Sequence, residues 1–256
     1  MRLLARHLVT LSLCSACALS AGAVTLDWNI NNTFTQGQTN SYNVDPSAPG
    51  ADISVAIATT NIGVGTLTAA VDSTLEGGFG PNNNTLGILL NLTTTGQYVT
   101  VTVTFSAAYT QGVTNVSFTL FDVDATQFQD QIRSITATTI NNTTVGATVT
   151  GSSNNSVTGV SPNQIVNGTA NTASTGATSG DANVTINFGT AAIKSFTFVY
   201  GSGTLIGSDT DPTQQKIGLY NIGFTPVPEI NPSWSAVISC LAAAGLILRH
   251  RAKVRK

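Results

Sequence analysis

The sequence feature that most constrains the fold is a two-residue alternation of apolar and polar side chains. In the clearest case, Val99, Val101, Val103 and Phe105 alternate with threonines at the three positions between them. Successive side chains of a strand point to opposite faces, so this pattern predicts a strand with one buried and one solvated face. The same alternation recurs in four later segments, centred on Phe118, Ile186, Phe198 and Ile222.

Turn-forming residues separate these segments, and no stretch between Val24 and Phe224 sustains the 3.6-residue period of a helix. The turn signals include Gly77-Gly78, residues 82–84, Gly151-Ser152 and Ser179-Gly180. Many short strands with glycine-rich turns predict an all-β fold, an antiparallel β-sandwich of the jelly-roll type, over residues 24–225. Residues 141–180 are mostly small and polar, which is typical of either a long surface excursion or hairpins at a sheet edge.

The same region lacks the side chains that many catalytic sites need. From Val24 to Glu229 there is no histidine and no cysteine. Ser-His-Asp and Cys-His nucleophile systems and zinc or haem sites are therefore excluded there. A glycosidase needs two carboxylates, and the only glutamates are Glu76 and Glu229, the second of which belongs to a C-terminal motif; an all-aspartate pair remains possible. We expect no enzymatic activity, with an aspartate-based hydrolase as the remaining alternative.

The charge of this region argues against nucleic acid as a partner. The chain is only 9% charged, and residues 24–230 hold three basic side chains against twelve acidic ones, a net charge of −9. Phosphate neutralisation requires clustered lysine and arginine. The three basic side chains are Arg133, Lys194 and Lys216.

Two groups of aspartates are the candidate metal ligands. Asp122 and Asp124 are two apart on a predicted strand and hence on one face, with Asp130 beyond a loop; Asp209 and Asp211 form the second group. Carboxylate oxygens suit calcium, although neither group has the spacing of an EF-hand. The sequence indicates no required cofactor, and calcium is a possible ligand of these aspartates. The alternative is that they are solvated loop acids, turn formers or strand caps.

Some aromatic residues lie near predicted loops or strand ends, where they could stack on sugar rings. The alternative role for each is in the core, where most aromatics on alternating faces lie. These residues are Trp28, Phe79, Tyr98, Tyr109, Phe128 and Tyr200.

The first 23 residues have the pattern of a secretory signal peptide. Arg2 and Arg6 precede an apolar run over residues 8–19, which is followed by Ala21-Gly22-Ala23. A basic start, an apolar segment and small residues in an A-x-A arrangement are the elements of such a peptide. We predict cleavage after Ala23, by signal peptidase.

The last 31 residues, 226–256, have three parts. A proline-rich motif at 226–232 is followed by an apolar segment at 233–248, predicted as a single transmembrane helix, and by a basic tail at 249–256. The positive-inside rule places this tail in the cytoplasm and the large domain outside. The basic residues of the tail are Arg249, Arg251, Lys253, Arg255 and Lys256.

This arrangement resembles the PEP-CTERM sorting signal of bacterial exported proteins. In that family a Pro-Glu-Pro motif, a transmembrane helix and an arginine-rich tail are recognised by an exosortase, a membrane protease. Pro228 and Glu229 match the motif, whereas Ile230 stands in place of its second proline. The resemblance implies an exosortase-type processing enzyme as a partner, a membrane-anchored precursor and association with exopolysaccharide or biofilm.

The order of the strand segments also looks like that of jelly-roll domains on other sorted surface proteins, which are similar in shape to carbohydrate-binding modules. We therefore expect a non-catalytic exported protein that is anchored in the inner membrane before processing and then located at the cell surface or in the extracellular matrix. The alternative is a lectin-like module that binds a glycan, with or without calcium.

Overall fold

The structure is a computed structural model that describes residues 22–46, 50–62, 67–92, 94–125, 128–170, 178–203 and 215–229. In these ranges the chain forms sixteen β-strands and no helix. The strands are β1 (Val24–Leu26), β2 (Asn40–Tyr42), β3 (Ile53–Thr60), β4 (Leu67–Asp72), β5 (Thr85–Leu90), β6 (Tyr98–Phe105), β7 (Val113–Phe121), β8 (Asp130–Thr139), β9 (Thr144–Gly146), β10 (Thr148–Gly151), β11 (Asn155–Thr158), β12 (Ile165–Gly168), β13 (Val184–Asn187), β14 (Ile193–Ser202), β15 (Gln215–Leu219) and β16 (Ile222–Pro226).

All the strand pairs are antiparallel, and together they make one curled sheet. One part runs in the order β2-β3-β6-β14-β8-β12-β11, with β9 also paired to β8. The other part is built around β7, which pairs with β13, β15 and β16, and it continues through β15 to β5 and β4. The two parts meet where Ile193 of β14 pairs with Val113 of β7. The predicted all-β antiparallel fold is confirmed, and the curled sheet is consistent with a sandwich.

The core lies inside the curl and is lined by the alternating residues that the sequence indicates. On β6 the side chains of Val99, Val101, Val103 and Phe105 are buried, while the intervening threonines are half-buried or exposed. Aromatic rings join the two parts of the sheet across the core. The ring of Phe118 on β7 stacks on that of Phe196 on β14, with centroids 4.8 Å apart.

One predicted strand is wrong in detail. The alternation of Tyr220, Ile222 and Phe224 predicted a single strand, but β15 ends at Leu219 and β16 begins at Ile222. Tyr220 lies in the short connection between them, where its N–H donates a 2.9 Å hydrogen bond to the carbonyl of Thr119. Because of this break, the Tyr220 ring does not lie on the core face of a strand.

In the described part of residues 141–180, which omits 171–177, the structure has the second of the two arrangements that the sequence left open. β11 and β12 form a hairpin at the edge of the sheet, with Asn155 opposite Gly168 and Thr158 opposite Ile165. β9 and β10 are also short and pair with β8 and β13.

The first and last of the described strands are neighbours. β1 pairs with β16, with Val24 opposite Phe224 and Leu26 opposite Ile222. Ala23 is exposed and directly precedes β1. Nearly all of the predicted signal peptide, the predicted transmembrane helix and the basic tail lie outside the described residues. Within the described residues, no helix long and apolar enough to span a membrane is found.

Candidate functional site

Asp122, Asp124 and Asp130 lie together at the ends of β7 and β8, but not as the sequence predicted. β7 ends at Phe121, and Asp122 has a left-handed backbone with φ of 65°. Asp122 and Asp124 are therefore not on one face of a strand, and that prediction is wrong. Left-handed φ values suit aspartate and asparagine, whose short polar side chains bond locally, which is why the strand can end there.

Asp130 is the most buried of these aspartates, with 1% of its surface exposed. Its Oδ1 accepts a 2.9 Å hydrogen bond from the hydroxyl of Tyr200, and its Oδ2 accepts a 3.2 Å bond from the N–H of Asp124. Burial, and next the negative charge of Asp124, raise the pKa of Asp130 well above its ordinary value. The same burial, and next the charge of Asp130, raise the pKa of Tyr200.

Ser202 lies beside this pair. It is opposite Asp130 in the β14–β8 register and 1% exposed, and its hydroxyl has no hydrogen-bond partner among the described residues. The described residues contain no group of three His, Cys, Asp or Glu side chains placed to hold a metal ion. Asp209 and Asp211, the second predicted pair, lie outside the described residues. Calcium binding at either group stays a prediction.

The six aromatic residues considered for sugar stacking differ sharply in exposure. Trp28 and Tyr200 are fully buried core residues, and Tyr98, Tyr109 and Phe128 are half-buried. Phe79 is 53% exposed, and it is the one aromatic among the large hydrophobic side chains that the described part of the chain exposes. A single exposed apolar side chain is common on a protein surface, so the exposure of Phe79 becomes informative only through the contacts that hold its ring in place.

Phe79 is presented by the loop of residues 73–84, between β4 and β5. Glycines at 77, 78 and 80 and an asparagine at 82 all have left-handed backbones, with φ of 56°, 78°, 101° and 63°. Glycine adopts such values without steric cost. A Cβ on Gly77 would meet the ring of Phe121 at 2.5 Å, so the backbone there packs directly on that ring.

Side-chain hydrogen bonds fix this loop. The amide of Asn83 donates to the carbonyls of Phe79 and Gly80 at 2.8 and 2.7 Å. Oε1 of Glu76 accepts a 2.8 Å bond from the N–H of Asn82. The amide of Asn183, which directly precedes β13, donates to the carbonyl of Gly77 at 2.8 Å. The position of Phe79 is thus set by contacts on both sides of it.

The ring of Phe79 packs against two other aromatic rings. Its centroid is 5.4 Å from that of Phe121 and 4.9 Å from that of Tyr220, and those two centroids are 5.0 Å apart. Phe121 is fully buried and Tyr220 half-buried, so the three rings run from the core to the surface. We call Phe79, Phe121 and Tyr220 the aromatic platform. Sequence reasoning noticed Phe79 but missed Tyr220, because alternation assigned Tyr220 to the core face of a strand.

A neighbouring turn, residues 27–31, adjoins the aromatic platform. Oδ1 of Asn29 accepts a 3.0 Å hydrogen bond from the N–H of Asn84 at the end of the Phe79 loop. Asp27 is close enough to Tyr220 that its charge, after burial, contributes to raising the pKa of that phenol. The same turn carries Ile30, which is 78% exposed.

The predicted sorting motif begins against the body of the domain. The N–H of Val227 donates a 3.0 Å bond to the carbonyl of Gly112, and the hydroxyl of Thr110 donates a 2.7 Å bond to Oε1 of Glu229. Pro228 and Glu229 are exposed. The described part of the motif, which ends at Glu229, is thus held at the surface at the end of β16.

Comparisons of this chain with protein-family models, with curated proteins and with solved structures gave no match.

Proposed function

We propose that this chain is a non-catalytic exported protein of the cell surface or extracellular matrix, with a jelly-roll-like β-sandwich ectodomain sorted by its C-terminal signal. The observation that carries the proposal is the pairing of β1 with β16. The first strand begins at Val24, the residue after the predicted cleavage site, and the last ends at Pro226, where the predicted motif starts. The folded unit thus fits between the two predicted signals.

The chemistry of the described residues supports a non-catalytic role. One group of carboxylates centres on Asp130, which is enclosed and bonded to Tyr200 and to the backbone of Asp124. A general acid or nucleophile must come within hydrogen-bond reach of its substrate, and a fully buried carboxyl would have to be uncovered first. An aspartate-based hydrolase is therefore the weaker proposal.

The surface position of Glu229 supports processing at the C-terminal motif. A protease can reach Pro228 and Glu229 because both are exposed, although Thr110 holds the glutamate carboxylate. The proposed partners are signal peptidase, an exosortase-type protease, the membrane before processing and the exopolysaccharide afterwards.

The test is intact mass and terminal sequencing of the protein from its native host, with membrane and matrix fractions kept separate. We expect a matrix species that starts at Val24 and has lost the basic tail. In a Glu229→Gln variant, the tail should be retained and the protein should accumulate in membranes. Recovery from the cytoplasm alone, or a matrix species with an intact tail, contradicts the proposal.

Thr110→Val is the matched control for the Glu229 variant. It removes the hydrogen bond to the Glu229 carboxylate and leaves the motif itself unchanged. Normal processing of this variant would show that the protease recognises Glu229. Failure of both variants alike would mean that docking against the domain matters instead.

A further inference from the structure

We propose that the aromatic platform, with the turn of residues 27–31 beside it, is a binding site for a neutral glycan, and that the exposed face of Phe79 stacks on a sugar ring. The proposal rests on the association with exopolysaccharide in the proposed function and names the site and the class of glycan. It is tested on the purified full-length chain, so its failure and the failure of the sorting proposal are distinguishable.

The first step of the argument is that the loop geometry keeps Phe79 exposed. A flexible loop could fold a phenylalanine inward, because burying such a side chain is worth about 1.5–3 kcal/mol. Here the hydrogen bonds of Asn83 and Glu76 fix the backbone on both sides of the ring. Phe121 and Tyr220 fill the space beneath it. A rigid ring is already placed for stacking, so binding requires little ordering of the protein.

The second step is the chemistry around the ring. Sugar rings present C–H groups on their faces and hydroxyls around their edges, so they fit an aromatic face that is bordered by polar groups. Asn82 in the Phe79 loop and Asn29 in the turn bonded to that loop are exposed, and Glu76 of the same loop is half-buried. Amides and carboxylates both bond to hydroxyls. Ile30 adds exposed apolar surface on a turn bonded to the same loop.

The third step is charge, which selects a neutral glycan over an acidic one. The ionisable groups on the two loops include Asp27 and Glu76, both acidic, and they would repel a uronate or sulfate. The nearby Lys216 is bound to Asp72 at 2.8 Å, so its charge is already compensated. The other two basic side chains of residues 24–230 are Arg133 and Lys194. They bond to Gln131 and Asn142, which lie outside the two loops.

The test is affinity electrophoresis of the full-length chain in gels containing dextran, galactomannan or xyloglucan, with alginate as the acidic comparison. Each gel is run with calcium and with EDTA. We expect at least one neutral polysaccharide to retard the wild-type chain, and alginate to have no effect. A chain retarded by none of the neutral polysaccharides, or by alginate alone, overturns the proposal.

Two substitutions of Phe79 separate stacking from folding. Phe79→Leu keeps apolar contact with Phe121 and Tyr220 but removes the ring, and we expect the affinity to fall about tenfold or more. Phe79→Tyr keeps the ring and should retain binding. Far-ultraviolet circular dichroism and the midpoint of thermal unfolding show whether each variant is folded. Equal affinity of the leucine variant and the wild type contradicts stacking.

Val160→Ala is the matched control for an exposed apolar side chain. Val160 is 78% exposed in the turn between β11 and β12, and its loss should leave glycan affinity unchanged. Size-exclusion chromatography provides the remaining comparison. If wild type is a dimer and Phe79→Leu a monomer, the platform is a protein interface and the glycan proposal is wrong.

Discussion

The hydroxyl of Tyr200 donates a 2.9 Å hydrogen bond to Oδ1 of Asp130, and the two side chains are 0% and 1% exposed. They come from β14 and from the first residue of β8, seventy positions apart in the chain. A buried carboxyl has few ways to satisfy its oxygens, so this bond stabilises the contact between the start of β8 and its neighbour β14.

Replacing Tyr200 by phenylalanine should lower the free energy of unfolding by about 1–3 kcal/mol, because it leaves a buried carboxyl oxygen without its donor. The control is Tyr42→Phe, which removes a 2.9 Å bond to the carbonyl of Thr33. Removing that bond should cost less, since the acceptor belongs to a partly exposed segment. Urea unfolding measures both variants, and equal effects would contradict the special role of Asp130.

The titration of Asp130 should make the free energy of unfolding depend on pH. Burial and the charge of Asp124 raise its folded pKa well above the unfolded value of about 4. The native state therefore binds the Asp130 proton more tightly than the unfolded state does. The stabilisation that this proton gives the native state is complete below the unfolded pKa. As pH rises above about 4, the unfolding free energy should fall by up to about 1.4 kcal/mol per pH unit, until the folded pKa is reached.

The Asp130→Asn variant tests this assignment, because an amide has no proton to lose. In EDTA, its unfolding free energy should be nearly independent of pH over the range in which the wild type declines. Urea titrations at several pH values give the two curves. Parallel curves would mean that another group causes the decline.

Asp72 should contribute a pH dependence of stability with the opposite sign. Burial alone would raise its pKa, but the hydrogen bonds from Lys216 and Thr74 lower it below its ordinary value. Its stabilising effect is present above the unfolded pKa and is lost as pH falls through the folded one. Because the two side chains are 21% and 33% exposed, Asp72→Asn should cost no more than about 1 kcal/mol at neutral pH. Unfolding experiments at neutral and acidic pH should show that this cost disappears in acid.

Calcium binding at Asp122, Asp124 and Asp130 is tested by thermal unfolding in calcium and in EDTA. A ligand that binds only the native state, at a hundred times its Kd, stabilises by about 2.7 kcal/mol. If these aspartates hold calcium, it raises the Tm of the wild type and not that of Asp122→Asn, a substitution that suits the left-handed backbone there. A wild-type Tm that is the same in both solutions would refute the prediction.

Gly77→Ala should disrupt the platform. The added methyl group would meet the ring of Phe121 at 2.5 Å, and the backbone there has φ of 56°. We expect a loss of about 2 kcal/mol or more in unfolding free energy, with a change in the near-ultraviolet signal of the rings. Gly37→Ala isolates the backbone effect, because Gly37 has φ of 79° and nothing within 4 Å of the added Cβ. Similar losses in the two variants would argue against close packing on Phe121.

The strands were predictable because their alternation is local and each buried set, such as Val99 to Phe105, is apolar. The strand break at Tyr220 could not be predicted, because a two-residue connection that keeps the two-residue alternation looks the same in the sequence as a continuous strand. Asp122 was placed wrongly for a similar reason, since its left-handed φ leaves no mark in hydrophobic periodicity. The platform depends on Phe79, Phe121 and Tyr220, which come from three segments, and only the folded chain brings them together.

The pairing of β1 with β16 also decides how the domain would respond to mechanical load. Val24 lies opposite Phe224 in an antiparallel pair, so the chain enters at Val24 and leaves beyond Pro226 on the same side. Tension applied between these two ends would break the β1–β16 hydrogen bonds one at a time rather than all at once. The three residues of β1 would then detach at low force, while β16 remains paired to β7.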